Sequence, residues 1–507
     1  MFRWLLRSKY RSKPSSRPAR VGPPPPPVAD PLSYIRQELK GSMDVKFRHI
    51  AAGSGIPCTM VYIESIIDGQ ALQEYVITPL IEWPSAASSQ ELLSSLGAQA
   101  LPTLQTRLTT DMGQAVNALL KGAGVLIVDK EHTVCLFPLT SYSQRAVTES
   151  QNEMVIVGPQ EAFVENLNTN LSLLRHKVKH PSFKTLEYMI GTYTQTRTCV
   201  FYMEGLCDPQ VLKEVTNKLE QIRMDGVLGV SYIGEHLDTC PKSPFPTAQY
   251  TERPDTLAAS LLEGRIGVMV EGTPQTLIVP VTFFSLMQSP EDYFQGSLAA
   301  TWIRWVRFFF VVVSFLLPSI YIAITTFHPE MIPSNLLVTI SAARESIPFP
   351  ALAEVIIMEL TFEALREAGI RIPRPLGQTV SIIGAIVIGQ AAVQAGIVSA
   401  PTVIVVSITG IASFIIPHFE LGLAFRLLRF PLLLLGGTIG LLGIITGLCI
   451  MFFHLVTVHS FGVPYMHPLA PLVFKDWKDV FIRARWTNLQ GKPDAFAPRR
   501  KDGQDTA

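Results

Sequence analysis

Three glutamates spaced four residues apart carry the strongest chemical signal in this sequence. Glu359, Glu363 and Glu367 lie within the apolar stretch 349–370. Side chains four residues apart share one face of a helix, so these carboxylates form a row, with Glu354 offset from it. Carboxylates at membrane depth are costly and usually face a partner or a water-filled path. We therefore expect the row to be either paired or exposed to water.

Three interpretations of this stretch remain open. In a ring of subunits the row would line a pore, since rings of acidic side chains favour cations. A helix lying at the membrane surface would instead turn its glutamates to water. Buried pairing with arginine is the third, with Arg366 as the nearest cation. Prolines break the chain before the helix and predict a hinge. The candidate pore or gating residues are Glu354, Glu359, Glu363, Glu367, Arg366, Pro348 and Pro350.

Apolar runs predict an α-helical multi-pass membrane domain over residues 301–460. A spanning helix needs about 20 mostly apolar residues. The runs are Phe308–Thr325, Leu376–Val398, Pro401–Ile416 and Pro431–Val458. If 349–370 also spans, the chain crosses five times, and otherwise four. Basic clusters favour the cytoplasm, and we favour the arrangement with both termini inside, although one cluster breaks the rule either way.

A repeat upstream predicts a soluble domain at residues 30–240. Setting Tyr62 over Tyr202 aligns further pairs of identical residues, namely Glu64 with Glu204, Asp68 with Asp208, Leu72 with Leu212 and Glu74 with Glu214. In each copy an alternating strand leads to an aspartate in N-cap position and then to a helix. We predict an α+β cytoplasmic domain of two related α/β subdomains, at about 44–160 and 185–240. Short buried strands are expected at 124–128 and 154–157, with a joining helix at 161–178.

The two ends of the chain differ from the rest in composition. Residues 1–29 form a basic, proline-rich tail, which we expect to be disordered or attracted to anionic lipid. Pro23–Pro27 gives a stiff polyproline spacer. The apolar run in this tail is too short for a signal peptide, so we expect the N-terminal domain to stay in the cytoplasm. Residues 461–507 form a C-terminal cytoplasmic tail.

Composition and motifs argue against several functional classes. A net charge of +1 is unlike that of a nucleic-acid-binding protein. The six cysteines form no C-x-x-C pair, which indicates reduced thiols. His176 and His180 lie four residues apart but lack a third metal ligand. No catalytic constellation is built from local signatures. We therefore expect neither an enzyme nor a protein with a metal or cofactor.

A segment at residues 241–300 is predicted to couple the soluble and membrane parts. Its turn residues Glu271–Pro274 lie between apolar runs and indicate a β-hairpin. The segment also carries two charged motifs ahead of that hairpin. The coupling motif consists of Thr251, Glu252, Arg253, Pro254, Asp255, Glu263, Gly264 and Arg265.

These residues resemble the core signature of the GerA-type A subunits of bacterial spore germinant receptors. The resemblance is strong over about 240–490 and is one of organisation only over 40–240. Its motifs are Phe245-Pro246, Thr251–Asp255, Ser260–Arg265, Asp292-Tyr293, Phe327–Pro333, Ala343–Glu345, Pro348–Pro350, Met358-Glu359, Phe362-Glu363, Arg366–Gly369, Ile388–Ala391 and Phe461–Tyr465. The tail departs from the pattern at Arg485, where a proline is expected.

The resemblance implies a protein of the inner spore membrane. Its partners would be a permease-like B subunit, taken to bind the germinant, and a lipoprotein C subunit, together with membrane lipid. Such A subunits are thought to form homo-oligomers and to release ions when nutrients bind. A stage V sporulation AF-type accessory membrane protein has similar architecture.

A channel-like receptor subunit is therefore the first hypothesis. A monomeric secondary transporter is the second, but such proteins usually contain two related membrane halves, and residues 301–458 show no repeat. A membrane-anchored enzyme is the third and lacks a catalytic constellation.

Overall fold

The computed structural model describes residues 30–53, 55–83, 88–98, 106–141, 153–371, 389–485, 487–488 and 493–497, without the side chain of Ile370. The basic tail 1–29 and most of the predicted span Leu376–Val398 lie outside these residues. The chain divides into two compact units. The first comprises residues 1–142 with 179–181, and the second comprises 143–178 with 182–507.

The first unit contains an antiparallel five-stranded sheet. Its strands are β1 Val45–Ala52, β2 Ile56–Ile63, β3 Arg107–Thr109, β4 Ala123–Val128 and β5 Val134–Pro138. They are ordered β1-β2-β4-β5-β3. The helices of this unit are α1 Pro31–Glu38, α2 Gly69–Leu72, a π-helix Gln73–Ile77, α3 Thr78–Ile81, α4 Ser89–Gly97 and α5 Met112–Leu119.

The second unit opens with a sheet of the same design. Its strands are β6 Phe183–Ile190, β7 Thr196–Met203, β8 Gln249–Thr251, β9 Ile266–Val270 and β10 Thr276–Val279. They are ordered β6-β7-β9-β10-β8, which matches the first sheet strand for strand. The helices around it are α6 Leu167–Lys177, α7 Pro209–Gln221, α8 Val230–Leu237 and α9 Pro254–Glu263.

Two related sheets are present, as predicted, but the second extends past the predicted bound at residue 240, and the duplication extends further than the aligned residues. In both copies a hairpin leads to a capped helix, and a further helix precedes the last hairpin of the sheet. Asp68 accepts a hydrogen bond from the Ala71 N–H, and Asp208 accepts one from the Gln210 N–H. The predicted coupling hairpin forms as β9–β10 and completes the second sheet, so that sheet continues to residue 279.

Two local predictions differ from the structure. Residues 154–157 form no strand, and Met154 and Ile156 are largely exposed, so the prediction of a buried strand there was wrong. Four apolar residues are too few to distinguish a strand from an irregular segment. The helix expected at 161–178 begins only at Leu167, because the Asn166 side chain accepts from the Thr169 N–H and caps it there.

Helices make up most of the remainder of the second unit. After α10 Phe283–Leu286 and α11 Glu291–Phe294 come α12 Ser297–Phe327, α13 Ser334–Arg344, α14 Ala351–Arg371, α15 Gly389–Gln394, α16 Ala400–Ser413, α17 Phe419–Ile439 and α18 Leu441–Thr457. Among the described residues, α12 and α17 are long and apolar enough to cross a membrane. The shorter apolar helices α16 and α18 fall below that length.

The run Pro431–Val458, predicted as the longest apolar segment, is divided between two helices. Gly440 ends α17 and precedes α18 with φ +72° and ψ −146°. Glycine adopts a positive φ without the steric cost that other residues meet. A Cβ on Gly440 would lie 3.1 Å from Phe327 Cβ, so the position also favours glycine by space. Glycines in an apolar run therefore marked a break that hydropathy alone did not reveal.

The C-terminal segment contains little regular secondary structure. It holds the two-residue strands β11 His459–Ser460 and β12 Val463–Pro464 and 3-10 turns at Asp476–Asp479 and Asp494–Phe496. Its apolar side chains Tyr465, Met466 and Val480 pack into a core with the ends of α12, α17 and α18. The tail is thus part of the second unit.

The duplicated caps provide a test of this fold. We expect Asp208→Ala to cost about 1 kcal/mol, because the Gln210 N–H loses its acceptor. Thermal unfolding of the purified full-length protein in detergent should shift down by a few degrees. Glu214→Ala, at an exposed position of the same helix, is the matched control and should leave the transition unchanged. Equal shifts for both variants would contradict the capping role.

Candidate functional site

The four glutamates of α14 differ sharply in exposure. The Glu354 and Glu359 side chains are fully buried, Glu363 is about one-quarter exposed at 26%, and Glu367 is 62% exposed. The row predicted from the spacing therefore runs from the protein interior to the surface. Each carboxylate has a different electrostatic environment, although all four lie on one helix.

The innermost member of the row pairs with another apolar helix. Glu359 Oε2 accepts a hydrogen bond from Arg429 Nη1 of α17, and both side chains are buried. Glu359 Oε1 and Arg429 Nε have no hydrogen-bond partner among the described residues. A buried pair of this kind offsets the desolvation of both charges only when it stays closed. The pair therefore fixes α14 against α17.

Glu363 is held by two cations. Arg366 Nη1 and Arg426 Nη1 each lie 3.1 Å from its carboxylate oxygens. Arg366 also donates to the Ser413 hydroxyl at 2.8 Å, and its guanidinium lies 4.9 Å from the rings of Phe362 and Phe414. Arg366 therefore joins α14 to α16 and also compensates the charge of Glu363.

Glu354 lies where α14 meets the start of α16. Ser399 donates both its backbone N–H and its hydroxyl to Glu354 Oε1. Arg344, at the end of α13, places Nε 3.7 Å from Glu354 Oε2. Pro348 and Pro350 lie in the turn between α13 and α14, and the Pro350 carbonyl accepts from the Glu354 N–H. The predicted hinge residues thus border the first buried carboxylate.

Sequence reasoning named Arg366 as the nearest cation, and the structure also pairs the four glutamates with Arg344, Arg371, Arg426 and Arg429. Arg426 and Arg429 were missed as partners because they lie 63 and 70 residues from Glu363 and Glu359. The available signal was that Arg426 and Arg429 stand inside a predominantly apolar segment, where unpaired charges are costly. Of the three interpretations, the geometry within one chain corresponds to paired carboxylates.

The coupling motif forms a second cluster, around Arg253. This guanidinium is almost fully buried and binds Asp255 through two hydrogen bonds of 3.1 and 2.7 Å. It also donates to the carbonyls of Glu153 and Pro159 at 3.3 and 2.8 Å. Pro254 begins α9, where a missing N–H costs nothing. The motif therefore holds the segment that precedes α6 against the start of α9.

Glu153 completes this attachment. Its carboxylate accepts from the Thr251 hydroxyl at 2.7 Å and from the Glu252 N–H at 3.1 Å. Burial raises the pKa of Glu153 to about 7, although both hydrogen bonds and the charge of Arg253 act in the opposite direction. Sequence reasoning missed Glu153, because it lies about a hundred residues from its partners.

The Glu263–Arg265 half of the motif lies at the C-terminal end of α9. Gly264 has φ +101°, and a Cβ there would lie 2.6 Å from the Leu206 carbonyl oxygen and 2.9 Å from that of Phe496. Arg265 pairs with Glu263 at 2.9 Å and lies 4.2 Å from the Phe496 ring centroid. The motif is thus brought together by one helix, with Arg253 at its start and Arg265 just beyond its end.

A third cluster lies at the base of α12. Asp292 accepts from Arg304 Nε at 2.9 Å and from Arg307 Nη1 and Nη2 at 2.9 and 3.0 Å. Arg304 also binds Asp479 of the C-terminal tail at 3.0 Å. Burial by itself would raise the pKa of Asp292, but the hydrogen bonds and charges of Arg307 and Arg304 outweigh it and the pKa is lowered. This junction cluster joins α11, α12 and the tail.

Comparison with known proteins identifies what the chain resembles. The family model described as Bacillus/Clostridium GerA spore germination protein matches residues 33–495. The uncharacterized membrane protein YfkQ of Bacillus subtilis is 40% identical over 95% of this chain and 93% of its own length. Spore germination protein KA of Bacillus subtilis is 38% identical over 94% of this chain and 88% of its own length.

One solved structure is also similar. It is the crystal structure of the N-terminal domain of the A subunit of the Bacillus megaterium spore germinant receptor GerK3. The match has 29% sequence identity and a TM-score of 0.39, and it covers 50% of this chain and 94% of that one.

Gly264→Ala tests the packing of the coupling motif. The new Cβ meets two backbone carbonyls, which cannot move aside as a flexible side chain would. We expect a loss of more than about 1 kcal/mol, the cost of placing alanine at a positive φ. Gly272→Ala is the matched control, because Gly272 has φ +83° with open space around its Cα. Equal losses of thermal stability in the two variants would show that the close contacts contribute nothing.

Asp292→Asn tests the junction cluster. We expect a loss of about 3–5 kcal/mol at neutral pH, because Arg304 and Arg307 lose their shared buried countercharge. The folded pKa is lowered, so the stabilisation is present above the ordinary aspartate pKa of about 4 and is lost as pH falls through the folded pKa. The stability difference from the parent protein should therefore hold from pH 7 to 5 and shrink in more acidic solution.

Asp225→Asn makes the same substitution at an exposed site of the same unit and serves as the control. It should leave the unfolding transition in place at every pH. A stability difference for Asp292→Asn that is small at pH 7 would contradict the structural role of the cluster.

Proposed function

Because this chain belongs to the GerA family of Bacillus/Clostridium spore germination proteins, we propose that it is a membrane subunit of a germinant receptor and passes a nutrient signal into ion release. The match to the family model runs through the soluble sheets, the apolar helices and the tail. The named relatives that support the proposal include spore germination proteins of Bacillus subtilis and Bacillus cereus at 34–38% identity.

The assembly is proposed on the same basis. The chain would act with a permease-like B subunit and a lipoprotein C subunit, in a homo-oligomer embedded in the inner spore membrane. We further propose a multi-pass arrangement with the two-sheet domain on the cytoplasmic side. In support, α12 and α17 are of spanning length, and Arg304 and Arg307 stand before the long apolar part of α12, where positive charge favours the cytoplasmic face.

The observation that carries the ion-release proposal is the row of carboxylates on α14, each with an arginine within the same apolar region. In the described arrangement Glu359 and Glu363 are neutralised by Arg429 and Arg426 of α17. A shift of α14 relative to α17 would open these pairs. The separated carboxylates would then need water or cations as partners. With its pairs closed or open, α14 would have two electrostatic arrangements, and a signal could favour one of them.

Pro348 and Pro350 supply a place where α14 can begin to move, since they interrupt the chain between α13 and α14. The coupling motif and the junction cluster would carry the signal between the second sheet and α12. Each of these three clusters is a packed, charged contact between elements of the same unit. We therefore assign signal transfer to Arg253 and Asp292, and ion release to Glu359 and Glu363 of the row.

The test is germinant-triggered cation release from spores that carry Glu359→Gln, Glu363→Gln or both. Potassium and sodium in the supernatant are measured after addition of amino acids and sugars, and protein level is measured by immunoblot. We expect release to be lost, or its ion preference to change, by more than any fall in protein level accounts for. Glu367→Gln is the control on the same helix, since Glu367 is exposed and pairs with the exposed Arg371.

A further variant separates a conduction role from a fold defect. Glu359→Gln leaves the Arg429 charge buried without its partner and is expected to lower protein level. The exchange Glu359→Arg with Arg429→Glu keeps both charges and should restore that level. If the exchanged protein accumulates and releases cations normally, the carboxylate position has no part in ion release.

A further inference from the structure

A group of exposed apolar side chains lies at the base of α12. They come from one face of the first three turns of the helix and from the C-terminal tail. The collar, as we call it, consists of Leu298, Trp302, Trp305, Phe474 and Ile482, which are between 53% and 83% exposed. Single exposed apolar residues are ordinary, but a continuous group indicates an interaction surface.

The tail is fastened to α12 at the level of the collar. Trp305 Nε1 donates to the Phe481 carbonyl at 2.9 Å, and the Arg483 N–H donates to the Thr301 hydroxyl at 3.1 Å. Aromatic rings add to the attachment, since the Phe481 ring lies tilted against Phe308 and edge-to-face against Trp477, with centroids 5.3 and 5.7 Å away. The two parts of the collar are therefore held as one surface.

The position of the collar along α12 points to its partner. The long apolar part of α12 begins at Phe308, directly after Trp302 and Trp305. At 1.5 Å per residue, residues 298–305 rise about 10 Å, enough to extend through the headgroup layer of about 5–8 Å on one side of a bilayer. Tryptophan is enriched at that level of a membrane, because its ring is apolar and its N–H is polar.

Positive charge on the tail also favours a membrane surface as the partner. Lys478 and Arg485 are exposed on the segment that carries Phe474 and Ile482. The acidic Asp479 beside them is already bound by Arg304 and by the Tyr293 hydroxyl. A basic side chain near an anionic membrane surface contributes about 1 kcal/mol. The exposed side of the tail is thus apolar and basic.

We propose that the collar, with Lys478 and Arg485, is an interfacial anchor that lies in the headgroup layer of the bilayer and binds anionic lipid. The inference rests on the proposed membrane function. It adds that the C-terminal tail is seated on the membrane surface and fixes the depth of α12. Because Asp479 binds Arg304, the same anchor holds the junction cluster at that surface.

The test uses the full-length protein in vesicles of phosphatidylcholine with phosphatidylglycerol. Tryptophan fluorescence is quenched by lipids that carry a spin label either at the headgroup or deep in the acyl chain. The fluorescence of the collar tryptophans is obtained by subtracting the signal of a Trp302→Phe, Trp305→Phe variant from that of the parent protein. We expect the headgroup label to quench this difference signal strongly and the deep label weakly. Trp83→Phe, in the first unit, is the control and should remove none of the quenching.

Lipid charge is tested in the same vesicles. A spin label on phosphatidylglycerol should quench the collar more than the same label on phosphatidylcholine. Lys478→Gln with Arg485→Gln should abolish that preference, and Lys213→Gln, on the exposed face of α7, should preserve it. Equal quenching by both labelled lipids in the parent protein would overturn the anionic-lipid assignment.

The outcomes separate this inference from the proposed function. Stronger quenching by the deep label, or none by either, in a chain that resists alkaline carbonate extraction would overturn the collar proposal alone. Release of the chain from membranes by carbonate would contradict the membrane function itself.

Discussion

Charges buried among apolar helices must be compensated, and this constraint determines the structure of the second unit. Asp292 alone binds two arginines of α12, so the first long apolar helix starts at a place where its positive charges are already paired. Arg304 then reaches Asp479, which brings the tail to the same point. Together with the apolar core that Tyr465, Met466 and Val480 join, these contacts hold the tail, which has little regular structure of its own.

The two copies of the sheet carry different residues, with different contacts, at one equivalent position. Thr109 and Thr251 each accept a hydrogen bond from the N–H two residues later, at the start of α5 and of α9. In the first copy that later residue is Asp111, which caps its helix. In the second copy it is Arg253, which caps nothing and instead binds the carbonyls of Glu153 and Pro159. The first copy thus has a local cap at the position where the second has a long-range attachment.

Local features of this chain follow from its sequence, and pairings across it do not. Asp68 and Asp208 cap helices where the N-cap pattern places them, and the turn residues between the apolar runs of 266–279 give a hairpin. The partners of Glu359 and Glu153 lie 70 or more residues away, and no local pattern encodes such a distance. Hydropathy predicted the apolar segment around Gly440 but not its division into two helices, because a hydropathy profile contains no information on backbone φ.

The gradient of exposure along α14 sets an order in which its ion pairs would open. The Glu367–Arg371 pair is exposed, and pairs of that kind are worth about 0–1 kcal/mol. Glu363 shares two cations and stays partly exposed, so it can exchange one of them without losing both. Glu359 and Arg429 are fully buried, and separating them leaves two uncompensated charges at about 3–5 kcal/mol. A movement of α14 that begins at its C-terminal end therefore meets rising resistance, and the Glu359–Arg429 pair opens after the pairs of Glu367 and Glu363. If α14 is the element that responds to a signal, that pair defines its closed state, and the free energy needed to separate it sets the threshold.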